Sequence, residues 1–325
     1  MKIKSEWELL ENLKQKISKK NLIANKNLLV SIGDDAAVFK THPKKNSLIT
    51  TDLSIEGTHF LLDKSSPQDI GFKAMVANIS DIAAMGGQPC YAFISLGIPA
   101  NLKQKFVLSL YDGMIKAANQ SKTMIAGGDL TKTSKLTIGI TLYGESASPI
   151  LRQKAKAKNY IYVTGTLGDS KAGLEILTEK IKGSSLKSLI NKHQKPPGRF
   201  PLVEKILQQY KPTSMIDISD GLLADLKHLA LQSNLGFLLY QSNLPFSQNL
   251  KKYCQVNKKN ILDYLLYSGE EYELLFTSDT KIEKNKINNI KVTLIGKIIS
   301  QDYYLQEGKK IKKIKLKGFD HFKAN

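Results

Sequence analysis

Apolar residues recur every three or four positions from Trp7 through Leu10 and Leu13 to Ile17, behind the capping box Ser5-x-x-Glu8, which predicts an opening amphipathic helix. Short apolar runs at Leu28–Ser31 and Leu48–Thr51 predict strands. A longer helical period begins after Pro67, turns Ile70, Met75, Ile79 and Ile82 inward, and stops at Gly86-Gly87. Tyr91–Ile98 then reads as a strand, Leu102–Ala118 as a helix, and Thr123–Ala126 and Leu136–Tyr143 as two more strands. This β-β-α-β-α-β-β order predicts an α/β layer unit. Small residues and proline in Ser146-Ala-Ser-Pro149 interrupt both periodicities, so a linker there divides the chain into domains 1–147 and 148–325. In the second, strands are predicted at Tyr160–Thr164, Met215–Ile218, Phe237–Tyr240, Tyr272–Thr277 and Val292–Ile295. Helices are predicted near Ser170–Ile181, Pro201–Gln209 and Asp220–Gln232, and Lys182–Arg199 and Lys251–Asn260 read as solvated loops. The fold class is α/β (α+β) in two domains.

Composition narrows the class of molecule. With 325 residues, 42% apolar and 24% charged, the chain is globular, neither disordered nor fibrous. Cys90 and Cys254 are too few for a disulfide framework or a four-thiolate zinc site, which fits a reducing compartment. Glu6, Glu8 and Glu11 sit where a signal peptide needs its apolar core, so a cytoplasmic location is expected. Ile82 to Leu102 is uncharged and long enough for a membrane span, but Gly86-Gly87, Pro89, Gly97 and Pro99 break it as one helix. It reads as helix end, turn and strand. Lys+Arg exceed Asp+Glu by 48 to 29, giving +19 and making polyanions the first partners to consider. The alternating lysines of Lys309–Lys317 suggest a strand with one solvated face, and no zinc-finger, helix-turn-helix or RNA-recognition pattern occurs. A solubilising surface is the favoured reading of the charge, and nucleic acid is disfavoured.

The acids behave differently from the lysines. Gly33-Asp34-Asp35, Thr50-Thr51-Asp52, Asn78-Ile79-Ser80-Asp81, Gly127-Gly128-Asp129, Asp217-Ile218-Ser219-Asp220 and Gly269-Glu270-Glu271 place carboxylates at the ends of apolar strands or inside an apolar helix. Read singly, Asp34 or Asp35 is a turn residue, Asp52 a strand-end cap, and Ser219 with Asp220 a helix N-cap. Read together, six such sites suggest convergence. At an effective dielectric near 20, two carboxylates about 4 Å apart repel by about 4 kcal/mol, so converging acids call for divalent cations. Carboxylates with neighbouring threonine hydroxyls are oxygen-only ligands, which points to magnesium. Gly127-Gly128 after a short strand lets the backbone approach a phosphate, and Gly165-Thr-Leu-Gly168-Asp-Ser170 is either similar or a capped turn. Neither G-x-x-x-x-G-K-[ST] nor G-x-G-x-x-G is present, and no cysteine–histidine or G-x-S-x-G arrangement supports a side-chain nucleophile. Metal-assisted phosphoryl transfer needs none.

The ordered set Ser31-Ile-Gly-Asp-Asp-Ala-Ala, Thr50-Thr-Asp, Glu56-Gly-Thr-His-Phe60, Asn78-Ile-Ser-Asp-Ile-Ala-Ala-Met-Gly86, Gly127-Gly-Asp, Asp217-Ile-Ser-Asp-Gly221, Gly269-Glu-Glu-Tyr-Glu-Leu and Leu316-Lys-Gly-Phe-Asp-His-Phe322 resembles the thiamine-monophosphate kinase family. That family lies within the wider aminoimidazole ribonucleotide synthetase-like group. The resemblance implies a two-domain fold, with an N-terminal mixed sheet for ATP, metal and dimerisation and a C-terminal α/β domain completing the nucleotide and substrate site. It implies the reaction ATP + thiamine monophosphate → ADP + thiamine diphosphate in a homodimer, the last step of making that cofactor. Carried over, Asp35, Thr50, Thr51, Asp52, Asp81, Asp129, Asp217 and Asp220 resemble Mg²⁺ ligands. Gly128, Arg152 and Ser219 resemble ATP contacts, and His59, Glu270 and Phe319 match positions that hold thiamine monophosphate. Where the family commonly shows Ser-Gly-Gly-Glu, this chain has Tyr267-Ser268-Gly269-Glu270.

Overall fold

The computed structural model describes residues 6–20, 27–30, 38–179, 186–282 and 286–314. Asp35 and Phe319 lie outside them, as does Ser5 of the expected capping box. The chain forms two compact units, one of residues 1–83 and 87–149, the other of residues 84–86 and 150–325.

In the first unit α1 (Glu6–Lys20) is followed by the short pair β1 (Leu28–Val30) and β2 (Val38–Phe39). Then come β3 (Asn46–Ile55), α2 (Pro67–Ala84), β4 (Gln88–Pro99), α3 (Gln104–Ser121), β5 (Met124–Thr133) and β6 (Thr137–Ser146). The main sheet has the order β3-β6-β4-β5, antiparallel except for β4 and β5, which run parallel with α3 as their crossover. Along β3 the period of two is plain: Leu48, Thr50, Asp52 and Ser54 are covered to varying degrees, while Ile49 and Leu53 are 72% and 54% exposed. Helix α2 is buried on nearly every side, with Ile70, Phe72, Met75, Val76, Ile79 and Ile82 in the core. The apolar stretch 82–102 divides between the end of α2, a turn and β4, as expected. No helix among the described residues is long and apolar enough to cross a membrane.

The second unit runs β7 (Tyr160–Thr164), α4 (Asp169–Glu179), α5 (Lys187–Gln194), α6 (Val203–Tyr210), β8 (Ser214–Asp217), α7 (Leu222–Gln232), β9 (Gly236–Tyr240), α8 (Gln248–Val256) and α9 (Ile261–Tyr267). It ends with β10 (Leu274–Ser278), β11 (Lys286–Ile287), β12 (Ile290–Ile299), β13 (Tyr303–Glu307) and β14 (Lys310–Lys313). The sheet order is β14-β13-β9-β12-β7-β10-β8, with β11 paired onto β12. A run such as Tyr-Ile-Tyr-Val-Thr in β7 suits a strand covered on both faces. Ile161 and Val163 join the helices in an aliphatic core, and Tyr162 meets Tyr210 and Phe276 at 5.2 and 5.5 Å between ring centroids.

Two lysine-rich stretches differ from their expected loops. Within Lys182–Arg199 lies α5, whose Leu189 and His193 are buried one turn apart. Within Lys251–Asn260 lies the greater part of α8, capped by the Ser247 hydroxyl, which accepts from the Leu250 N–H at 3.0 Å. Leu250, Tyr253 and Cys254 form its inward stripe. In both, a few apolar residues at helical spacing outweigh the polar majority. Of the lysines expected along Lys309–Lys317, those of the strand β14 stand on a sheet edge whose four residues are all exposed, and Lys315 and Lys317 lie outside the described residues.

Candidate active site

Each unit carries its own acidic group. In the first, β3 alternation turns Thr50 and Asp52 toward α2, where Asp81 sits three residues after the buried Asn78. The Thr50 hydroxyl donates to Asp81 Oδ2 at 2.5 Å. Burial, followed by the charge of Asp81, pushes the Asp52 carboxyl up to about 6. The Asn78 amide donates to Ala74 O at 3.1 Å, but its buried Oδ1 has no hydrogen-bond partner among the described residues. A carboxylate raised by its neighbour's charge, that neighbour and a threonine hydroxyl form an all-oxygen donor set that fits a hard divalent cation. Thr51 alternates to the opposite face, where its hydroxyl meets that of Thr141 at 3.2 Å.

Asp129 is exposed on β5, the far edge of the sheet from β3. Its register row is Leu53–Gly139–Ser95–Asp129, which alternates with the row Asp52–Ile140–Ile94. Three strand spacings, about 14 Å, separate the two edges. The described contacts thus bring Thr50, Asp52 and Asp81 together and leave Asp129 apart. No three His, Cys, Asp or Glu side chains among the described residues already form a metal-holding group. Gly128 has φ +153°, and a Cβ there would lie 2.0 Å from Ile94 O, so only glycine fits between β5 and β4. His59 accepts the Ile55 N–H on Nδ1 at 3.1 Å, which fixes the neutral ring's proton on Nε2.

In the second unit the buried Asp217 ends β8, and the loop between β8 and α7 holds Ser219 and the exposed Asp220. The buried Asp225, in the first turn of α7, accepts the N–H groups of Ser219, Asp220 and Gly221 on one oxygen, each at 3.1 Å. Burial, then the charges of Asp217 and Asp220, push the Asp225 carboxyl up to about 8. A loop carrying an expected ATP contact, Ser219, and an expected metal ligand, Asp220, is thereby shaped by an acid that the motif reading did not single out. The available signal was its spacing, four residues after Gly221, where a helical turn brings a side chain back over the loop. Arg152 stands in a 3-10 turn, exposed, with its carbonyl accepting from the Ser233 hydroxyl at 3.2 Å.

The Gly269–Glu273 segment runs beside that loop. Glu270 N–H donates to Ser219 O at 2.7 Å, Tyr272 N–H to Ile218 O at 2.8 Å, and Ile218 N–H to Glu273 O at 2.8 Å. Glu270 and Tyr272 both have left-handed φ values, +55° and +50°, a backbone choice that costs energy and is held by these bonds. Glu271 accepts from Gly168 N, Ser170 N and the Ser268 hydroxyl, at 2.8, 3.1 and 2.6 Å. The Gly165–Ser170 turn, read from sequence as either a phosphate approach or a capped turn, directs its N–H groups to the chain's own Glu271 carboxylate. Glu273 accepts from Thr164, Lys192 and the Arg199 fork at 2.5 to 2.7 Å. Glu273, Lys192 and Arg199 carried no local signal, because their partners lie 74 and 81 residues away.

Known proteins resemble this chain along most of its length. The family model for AIR synthase related protein, N-terminal domain, matches residues 33–146. The thiamine-monophosphate kinase of Aquifex aeolicus is 39% identical over 295 residues, covering 90% of this chain and 92% of its own. That of Buchnera aphidicola subsp. Schizaphis graminum is 36% identical over 331 residues, covering 98% and 99%. A solved structure of AaThiL complexed with AMPPCP and TMP superposes with a TM-score of 0.79 at 35% identity, covering 99% of each chain. With the two-domain α/β architecture in common and identity extending along nearly the whole length, the chain belongs to the thiamine-monophosphate kinase family.

Proposed function

We propose that this protein transfers the terminal phosphate of ATP to the phosphate of thiamine monophosphate, giving ADP and thiamine diphosphate. Family membership supports the reaction class, and the relative's complex with AMPPCP and TMP supports the two ligands. The observation that carries the reading is the Thr50–Asp52–Asp81 group, an oxygen-rich site that folding creates by bringing β3 against α2. Such a site is suited to magnesium, with Asp52 and Asp81 as ligands and Thr50 beside them. Asp35, Thr51, Asp129, Asp217 and Asp220 are assigned the same role by their motifs. Bound magnesium supplies charge neutralisation for the phosphates.

The acceptor phosphate is already anionic, so no side chain has to remove a proton, and the transfer is direct and in line. Gly128 lets the β5 backbone approach the nucleotide, and Ser219 and Arg152 contact it, Arg152 as a phosphate clamp. His59, Glu270 and Phe319 hold thiamine monophosphate. A carboxylate and an aromatic face suit its cationic thiazolium. The protein works in the cytoplasm as a homodimer, and the exposed Ile49 and Leu53 on the outer face of β3 support that face as the contact. The test is formation of thiamine diphosphate from ATP and thiamine monophosphate, with and without Mg²⁺. No product in either condition would end this reading, and a labelled phosphoprotein from γ-labelled ATP would end the direct transfer.

A further inference from the structure

The three acids of the Gly269–Glu273 segment are each met from the stretch 164–199, but not alike. Glu271 and Glu273 are fully buried, whereas the Glu270 side chain keeps 29% exposure. The Glu270 backbone is pinned to Ser219, so the direction of its carboxylate depends on what its side chain meets. It meets His193: Nδ1 lies 3.6 Å from Glu270 Oε2 and 3.1 Å from the Ser170 hydroxyl at the start of α4. His193 is itself held firmly. Its side chain is 8% exposed in the last turn of α5, and its neighbour Lys192 is ion-paired with Glu273 at 2.6 Å. Helix α5 is seated against α4 at Gly173, where a Cβ would lie 2.2 Å from Leu189 O and 2.9 Å from the His193 Cβ. An imidazole fixed this well can orient a half-open carboxylate; a surface histidine could not.

We propose that His193 is a positioning residue for the substrate, aiming the Glu270 carboxylate at the cationic portion of thiamine monophosphate while Ser170 steadies the ring. The proposal rests on the assignment of Glu270 to the substrate. The experiment is steady-state kinetics of the full chain with H193L, H193Q, E270Q and the double variant H193L/E270Q. His193→Leu should raise the KM for thiamine monophosphate about threefold, the scale of one weak electrostatic contact at 3.6 Å, and leave the KM for ATP unchanged. His193→Gln, which keeps a polar hydrogen-bonding head, should recover most of that loss and covers the case in which H193L folds poorly. The double variant should be no worse than E270Q alone, because both act on one carboxylate. Equal shifts in both KM values, or losses that multiply in the double variant, would reduce His193 to a packing residue and overturn the proposal. If E270Q leaves the KM for thiamine monophosphate unchanged, the Glu270 assignment falls and takes this proposal with it. If E270Q raises it and neither His193 variant does, only the role of His193 falls.

Discussion

Glu271 and Glu273 stand two positions apart, both without solvent exposure, and yet titrate in opposite directions. Burial pushes Glu271 up to about 7, with Lys192 offsetting only part of the rise. The same burial acts on Glu273, but Lys192 and Arg199 outweigh it and hold that carboxyl below its ordinary value. For Glu271 the raised folded value means that its stabilising contribution is complete below its ordinary pKa near 4.5 and is lost as pH rises through about 7. For Glu273 the sign reverses, and its contribution is present above about 4.5 and lost at lower pH. Glu271→Gln, a permanently neutral isostere, should therefore gain stability relative to the parent between pH 4.5 and 7, on the order of 3 kcal/mol. Urea midpoints of both proteins across that range are the check, and parallel pH profiles would contradict the assignment. At the acidic group of the first unit, Asp52→Asn should lower turnover by about two orders of magnitude or more with the fold retained. Activity near the parent level with an unchanged circular dichroism spectrum would remove Asp52 from the catalytic machinery. Asp52 and Asp81 were legible because short motifs put an acid where apolar residues belong. Asp225 and Glu273 were not, since their importance lies in donors that only folding brings within reach.

At the scale of elements, β3 and α2 follow directly from their patterns, and so does the turn that splits the uncharged stretch between α2 and β4. Helices α5 and α8 were hidden by their lysines, glutamines and asparagines, which dilute a three-residue apolar stripe below what a composition-based reading detects. Their stability comes from tertiary packing more than from propensity. The α4–α5 contact makes this testable, because Gly173 admits Leu189 O where no side chain fits. Gly173→Val should cost about 2 kcal/mol or more through steric overlap. A loss under about 0.5 kcal/mol by chemical denaturation would mean that the two helices do not approach as described. The same substitution should raise the KM for thiamine monophosphate by displacing His193, an effect absent from an equally destabilised variant elsewhere in the unit.

On the scale of the whole molecule, the +19 charge is dispersed: several lysines are spent on local pairs, such as Lys312 with Glu307 and Lys313 with Asp302, at 2.7 Å each. Exposed pairs of this kind add little stability and serve solubility. The exposed apolar residues of β3 carry a different expectation. Leu53→Glu with Ile49→Glu should convert the proposed homodimer to folded monomers in sedimentation velocity, because two buried charges per protomer lack partners in such an interface. An unchanged sedimentation coefficient would move the dimer contact elsewhere. Periodicity and turn residues, local properties of the chain, were enough to mark out two α/β units, and the ordered short motifs carried the resemblance that implied the mixed first sheet and the family. Tertiary structure alone decided which carboxylates meet one another, which meet a backbone N–H and which meet lysine or arginine. Those pairings join residues tens of positions apart, and their strength depends on burial and distance, neither of which is written in any local stretch of sequence.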